Sequence, residues 1–327
     1  MDNKSVGIIG IGAYLPKKIV TNNDLEKMVN TSDEWITTRT GIKKRRLAAP
    51  EMAASDLGIY AAKNALKNAN IKPAQLGAII VATMTPDMLS PATACIIQEK
   101  LKADQAACFD INAACTGFIY GLAVARSFII SGEYKYVLVV ACEKISSFID
   151  WQDRSTCVLF GDGAGAVVLG PKNKNRIISV YLGSDGNKAE LLKIPAGGSR
   201  CPATLETVKN RLHFLKMNGN EIFKFAVKNM TSAAEKARKL AGVKKEDIDC
   251  VIPHQANIRI INATAKRLGI PREKIFFNIE KYGNMSAASV VVGLYEAIKT
   301  KRIKKGNNVI LVAFGSGLTW GACVIKC

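Results

Sequence analysis

A thiol, an imidazole and a carboxamide are the groups through which this chain could do chemistry. Cys115 lies in DINAACTGFIYG, between small residues, after an apolar run and at the start of a helix-compatible stretch. Unpaired N–H groups and the positive end of a helix dipole favour a thiolate at such a place, so its pKa is expected to fall. His254 closes the apolar strand IDCVIP and opens HQANIR, an address at the carboxyl end of a strand where side chains reach a cleft. The other histidine, His213, sits in the basic KNRLHFLK and reads as structural. Asn284 stands in YGNMSAAS, where Gly283 and small neighbours allow a backbone or a substrate to approach closely. Plain turn chemistry is the competing reading of that asparagine.

Together the three suit acyl transfer from a thioester. Cysteine takes the acyl group as a new thioester, nearly isoenergetic with the old one. Histidine and asparagine can both donate to a carbonyl oxygen that becomes enolate-like when a malonyl group loses carbon dioxide. The carbanion then attacks the acyl-cysteine and a carbon–carbon bond forms. This chemistry requires no metal and no organic cofactor. The nine cysteines are odd in number, scattered, and include no C-x-x-C pair, which fits neither a disulfide framework nor a zinc knuckle.

The elements that must position these groups are strands and helices in alternation. VGIIGIGAYL, LGAIIVATM, YKYVLVVAC and GAGAVVLG read as strands in the first half, and IISVYLG, IDCVIP, KIFFNI, NVILVAFG and ACVIK in the second. Helices fall between several of them, as over 57–70 and 232–241. Continuous apolar strands with crossover helices mean sheets covered on both faces, so the class is α/β. The halves also repeat. AAKNALKNANIKPAQLGAIIVATMTP lies over AAEKARKLAGVKKEDIDCVIPHQAN at a constant offset of 172 residues, with Ile71 over Val243 and Leu76 over Ile248. Two similar halves are therefore expected, 1–173 carrying the thiol and 174–327 carrying His254 and Asn284, with the boundary in GPKNKNR. In the repeat Asn284 falls close to the position of Cys115, so both can converge on one central cleft.

At 327 residues and nearly half apolar, the chain can bury a large core. Its N-terminus lacks a charged leader followed by a long apolar region, and no apolar run is expected to reach the roughly 18–20 residues of a membrane helix. A cytoplasmic protein without membrane association is expected. The net charge of +19 points to an acidic or phosphate-bearing partner, or simply to a lysine-rich solvated surface. Basic runs such as KKRR and KTKRIKKGNN lack the interleaved aromatics of a single-strand binder, so nucleic acid is not expected as a partner.

TSDEWITTRTGIKKRR, SPATACIIQEKL, INAACTGF, FGDGAGAVVL, MNGNEIFKFAV, PHQANIRI, YGNMSAAS and FGSGLTWG, taken in order across nearly the whole chain, closely resemble the β-ketoacyl-acyl carrier protein synthase III family of the thiolase-fold superfamily. The resemblance implies two duplicated βαβαβαββ halves in an αβαβα layered arrangement, assembled as a homodimer. It implies the initiating step of type II fatty acid biosynthesis, in which a short acyl-coenzyme A and malonyl-acyl carrier protein give a β-ketoacyl product through an acyl-Cys115 intermediate, with coenzyme A as substrate rather than cofactor. Cys115, His254 and Asn284 would be catalytic, and the backbone N–H groups of Cys115 and Ser316 would form the oxyanion hole. Trp35 and Arg154 look like the pair that sandwiches the adenine, with Arg39 near the phosphates; Trp35 and Arg39 are four apart and would share a helix face. Met217, Gly219, Phe223 and Asn257 resemble pantetheine-tunnel residues, and Arg259 the contact for acyl carrier protein. Ser90 and Leu192 fall where the acyl pocket is set.

Three departures stand out. Ser90 replaces a common Phe, Met285 replaces a common Thr, and FGSG replaces FGGG. None removes a catalytic group. Cys-His-Asn order also fits a papain-like protease, but the CGSCW signature and a propeptide are missing and the repeat opposes it. A degradative thiolase would need a second cysteine where Phe314 stands, and an elongating synthase a second histidine. A related polyketide-type ketosynthase shares the triad and remains the alternative. GIGAYL lacks the third glycine of a dinucleotide fingerprint and runs into Pro16.

Overall fold

Runs of Val, Ile and Ala with almost no charge become strands that side chains cover from both faces. The computed structural model describes residues 5–172 and 175–327, so the expected boundary between residues 173 and 174 lies outside the described residues. The first half contributes β1 (Val6–Tyr14), β2 (Ala78–Ala82), β3 (Ala107–Ile111), β4 (Val137–Glu143) and β5 (Gly163–Pro171). The second contributes β6 (Arg176–Ser184), β7 (Cys250–Pro253), β8 (Asn308–Gly315) and β9 (Thr319–Lys326). Their order is β7-β8-β9-β6-β1-β5-β4-β2-β3. Read outward from the centre, β6, β9, β8 and β7 mirror β1, β5, β4 and β2, and the two sets meet at the single register pair Gly7–Arg176.

Six helices matter for the site: α1 (Asp33–Thr40), α2 (Ala54–Ala69), α3 (Gly117–Ser131), α4 (Gly219–Leu240), α5 (Ile258–Leu268) and α6 (Ala288–Lys299). The period-two alternation of the strands sorts their side chains between layers. On β2, Ile80 joins Phe118 and Leu122 of α3 and Val291 and Leu294 of α6 in a central core, while Ile79 and Val81 face Leu57, Ala61 and Ala65 of α2. On β8, Leu311 enters the central core, while Ile310 and Val312 face Met230 and Ala234 of α4 and Ile261 of α5. Helices outside, two sheets, and α3 with α6 between them make the αβαβα arrangement.

Two expectations need correction. KIFFNI forms no strand: Ile275 makes one isolated bridge to Val251, and a 3-10 turn over Arg272–Lys274 precedes it. The backbone of Asn278 is drawn instead to the Gln255 side chain, which ends any pairing beside β7 and leaves β3 without a counterpart. One apolar stretch, Ala114–Ser131, is long enough to cross a membrane by length and composition. Here it is the core helix, with Phe118, Ile119, Leu122 and Ala125 wholly buried between the sheets.

The register of β1 on α2 is set by the absence of side chains. A Cβ at Gly12 would lie 2.4 Å from both Ala61 O and Ala65 N of α2. The backbones must separate to admit it. Gly12→Ala is therefore expected to cost about 1–3 kcal/mol by overpacking, read as a lower urea midpoint with unchanged slope.

Candidate active site

Three turns deliver the candidate reactive groups. His254 follows β7 directly and its backbone N–H donates to Val312 O of β8 at 2.7 Å, so the ladder extends one residue past the strand and fixes where the imidazole leaves it. Cys115 sits in a 3-10 turn over Ala114–Thr116 that feeds α3. Asn284 lies just ahead of α6, pinned by its N–H to Leu159 O at 2.9 Å and by its carbonyl to Gly161 N at 3.0 Å.

The last two turns are built alike. Asn112 Oδ1 accepts from Ala114 N at 3.3 Å, and Asn284 Oδ1 accepts from Ser286 N at 2.8 Å. Ala114 and Ser286 both adopt the left-handed region, at φ 46° and 45°. These pairs keep the sequence offset of 172, so the counterpart of Asn284 is Asn112 and that of Cys115 is Ala287. The expected match of Cys115 with Asn284 is thus refined by three residues. Because Ser286 N–H engages Oδ1, the Asn284 amide has its NH2 end left to donate.

Cys115, His254 and Asn284 line one cavity of about 120 Å³ together with Met217, Gly219, Phe223, Asn257 and Leu192. All three are buried, at 5%, 2% and 6% exposed. Burial pushes the Cys115 thiol up to about 12 and holds His254 down to about 3. The expected fall in the thiol's pKa does not occur. Desolvation of a thiolate outweighs the field of a helix that starts only at Gly117, beyond the 3-10 turn. Both groups are therefore neutral at rest, and His254 Nδ1 is buried without a hydrogen-bond partner.

The remaining candidates fall in several places. Gly315 presses on the Cys115 turn so closely that a Cβ there would lie 2.7 Å from Cys115 N. Ser316 lines a second cavity, of about 320 Å³, with Met84, Asn112, Ala114 and Leu192, and its hydroxyl donates to Leu192 O. Leu192 thus borders both cavities. Asn257 is the N-cap of α5, accepting from Arg259 N at 2.8 Å, and it also donates to Arg39 O at 3.0 Å, which ties α1 to the rim. Arg259 stands over the Phe223 ring at 5.8 Å. Trp35, Arg39 and Arg154 gather, but with no gap between them: Arg154 stacks on the indole at 4.7 Å and Arg39 at 5.4 Å. Arg154 also donates to Asn30 O at 2.9 Å. Ser90 is exposed and lines neither cavity of its own chain.

Two buried charges, Arg45 and Glu143, and the half-buried Glu296 escaped the sequence reading. Arg45 is wholly buried and donates to Asn22 Oδ1 at 2.9 Å and Val158 O at 2.8 Å. Its Cβ supports the Gly161 and Gly283 turns that carry Asn284. Glu296 of α6 accepts from Tyr282 Oη at 2.5 Å and Asn278 Nδ2 at 3.0 Å. Asn278 N in turn donates to Gln255 Oε1 at 3.1 Å, and Gln255 Nε2 to Pro253 O at 2.6 Å. One continuous web therefore holds the loops on which His254 and Asn284 stand. Glu143, the third, ends β4 and is wholly buried. A lone acid within an apolar run, as in LVVACE and GLYEAI, was the available signal.

Comparison with known proteins agrees with this architecture. Residues 109–186 match the family model described as 3-oxoacyl-[acyl-carrier-protein (ACP)] synthase III, and residues 239–327 match its C-terminal model. A β-ketoacyl-[acyl-carrier-protein] synthase III of Natranaerobius thermophilus is 57% identical over 98% of both chains. One of Caldanaerobacter subterraneus is 56% identical over the same shares. The crystal structure of 3-oxoacyl-[acyl-carrier-protein] synthase III from Aquifex aeolicus superposes with a TM-score of 0.91 at 50% identity, covering 98% of this chain and 100% of that one. Tyr282→Phe, which deprives Glu296 of a charge-assisted bond, should lower unfolding free energy by about 1.5–3 kcal/mol, as calorimetry would record.

Proposed function

The chain belongs to the 3-oxoacyl-[acyl-carrier-protein] synthase III family, the condensing enzymes that initiate fatty acid biosynthesis, and from that premise we propose how its residues perform the reaction. The observation that carries the reading is the single cavity into which the first half sends Cys115 and the second half sends His254 and Asn284. Cys115 attacks the carbonyl of a short acyl-coenzyme A and keeps the acyl group as a thioester. The backbone N–H groups of Cys115 and Ser316 receive the oxyanion. Malonyl-acyl carrier protein then enters, and its thioester oxygen takes hydrogen bonds from His254 and from Asn284 Nδ2 as carbon dioxide leaves. The orientation that Ser286 N–H imposes on Asn284 supports donation, since the amide needs no reorganisation to point its NH2 end inward. A neutral imidazole is the suitable partner, because it can donate one N–H and carries no charge to attract the departing carboxylate.

Met217, Gly219, Phe223 and Asn257 border the path of the pantetheine arm, and Arg259 at its side receives the acidic carrier protein. Trp35 and Arg154 receive the adenine once Arg154 leaves the indole it covers, with Arg39 toward the phosphates. Ser90 acts in a homodimer, reaching the acyl pocket of the second copy, where Leu192 lies. The cytoplasm is the proposed location.

Intact mass after mixing with acetyl-coenzyme A should show one acyl group, lost in Cys115→Ser. His254→Ala and Asn284→Ala should each slow the malonyl-dependent discharge by about 10²–10³-fold while acylating near the wild-type rate. Equal damage to both half-reactions would refute the assigned roles. Trp35→Ala should raise KM for acyl-coenzyme A with little change in kcat, measured by initial rates, as expected where uniform binding is removed.

A further inference from the structure

Leu192 is not alone in bordering two cavities. Met84, Leu192 and Leu215 line both the cavity of about 120 Å³ that holds Cys115 and the cavity of about 320 Å³ that holds Ser316. These side chains form the wall between the two spaces. An acyl group on Cys115 that outgrows the first space has to push the wall aside to reach the second. How firmly the wall is held then sets how long a primer is accepted.

Leu192 and Leu215 stand at the two ends of one excursion of the chain. Leu192–Lys193 pairs with Lys216–Met217, and residues 194–215 loop out between them. Within that loop only Ala196 and Leu215 are buried. A short helix over Leu205–Lys209 faces solvent, with Leu205 92% exposed. Burial therefore does little to fix the loop. Among the described residues, two hydrogen-bonded links join it to the body of the protein. Leu215 N donates to Phe148 O at 2.9 Å, and the Arg211 guanidinium grips the Asp150 carboxylate, Nε to Oδ2 at 2.6 Å and Nη2 to Oδ1.

Arg211 is an unusual residue for its place. It sits just past the end of the short helix, where Arg211 N donates to Val208 O and Leu212 N to Thr207 O, each at 2.9 Å, and its φ is 57°. Glycine or asparagine is the ordinary occupant of this left-handed position. An arginine there strains the backbone and is kept where surrounding contacts fix it. What the arginine gains is a two-pronged bond to a carboxylate whose residue is 5% exposed, the strong form of such a pair. Asp150 Oδ1 also accepts from Gln152 N at 2.9 Å, which holds the carboxylate on its own turn. The guanidinium remains partly in water, so the pair contributes direction more than stability.

We propose that the Arg211–Asp150 pair holds Leu215 in the wall between the two cavities and so limits the length of the acyl group that Cys115 can carry. The inference rests on Cys115 being the nucleophile. Arg211 and Leu215 are close neighbours on the loop, as Phe148 and Asp150 are on the body, so together the two links fix the direction in which Leu215 enters the wall. The Phe148 bond alone would leave the loop free to pivot about it. Neither Arg211 nor Asp150 lines either cavity, and both are positioning residues that act through Leu215.

The test compares Cys115 acylation by acetyl-, butyryl-, hexanoyl- and octanoyl-coenzyme A, read as intact mass after rapid quenching, in wild type, Arg211→Asn, Asp150→Asn and the double variant. Asparagine suits the left-handed position at 211 and keeps an acceptor for Gln152 N at 150, so neither change has to disturb the fold. Each single variant should raise the ratio of octanoyl to acetyl acylation about tenfold over the wild-type ratio, with acetyl rates little changed. The double variant should go no further than either single one, as for two halves of one interaction. A ratio that stays at the wild-type value would overturn the proposal, including where every substrate slows equally, which is what a merely structural role predicts. Shifts that multiply in the double variant would overturn it as well, since the two residues would then act apart. Should Asp150→Asn fail to fold, Arg211→Asn decides alone. Wild type that takes no acyl group on Cys115 from any of the four would defeat the nucleophile assignment, and this inference with it.

Discussion

Burial of Cys115, His254 and Asn284 constrains the resting state of each. Cys115, His254 and Asn284 sit where two sheets and two central helices close on one another, and burial there penalises a bare charge. The consequences run in one direction. The thiol rests protonated, the imidazole rests neutral, and the carboxyl of Glu143 is lifted into the physiological range. A dry site also makes each aligned donor worth more when negative charge develops on a substrate oxygen.

Duplication explains how one chain assembles such a site. The halves provide the same frame twice, and the frame ends in the same asparagine-stabilised turn at Asn112 and Asn284. What differs is the side chain at each equivalent position. Ala82 stands where the second half has His254, Ala287 where the first has Cys115, and Gly315 where the first has Glu143. Each half is small at the places where the other has Cys115, Glu143 or His254. The backbones can therefore approach to the point where no Cβ would fit between Gly315 and Cys115 N. Arg45 and the Glu296 web then hold the second-half loops in place, at the cost of burying charge, with hydrogen bonds to offset most of it.

The sequence carried the α/β class and eight of the nine main strands, because apolar periodicity is a local property written in consecutive residues; Met217, Gly219, Phe223, Asn257 and Leu192, which line the cavity, were implied by the resemblance alone. β3 was not among the expected strands, and KIFFNI was expected as a strand although Gln255 and the backbone of Asn278 divert that segment. Such a diversion depends on the Gln255 side chain meeting the backbone of Asn278 across 23 positions of chain, which no local pattern records. The thiol's pKa failed for a related reason. A helix start is visible in INAACTGF, but the 3-10 turn that separates Cys115 from the helix and the depth of its burial are products of packing. Glu143 and Glu296 were legible only as anomalies, acids in apolar runs whose partners come from elsewhere in the fold.

The claim that desolvation prevails over the helix field is open to one direct measurement. Titration of ultraviolet thiolate absorbance, taken as the difference between wild type and Cys115→Ser, reads the ionisation of this sulfur alone. With burial dominant, the difference spectrum should show no thiolate between about pH 6 and 9, beyond the range of an ordinary exposed cysteine. A thiolate already present at neutral pH would contradict the account.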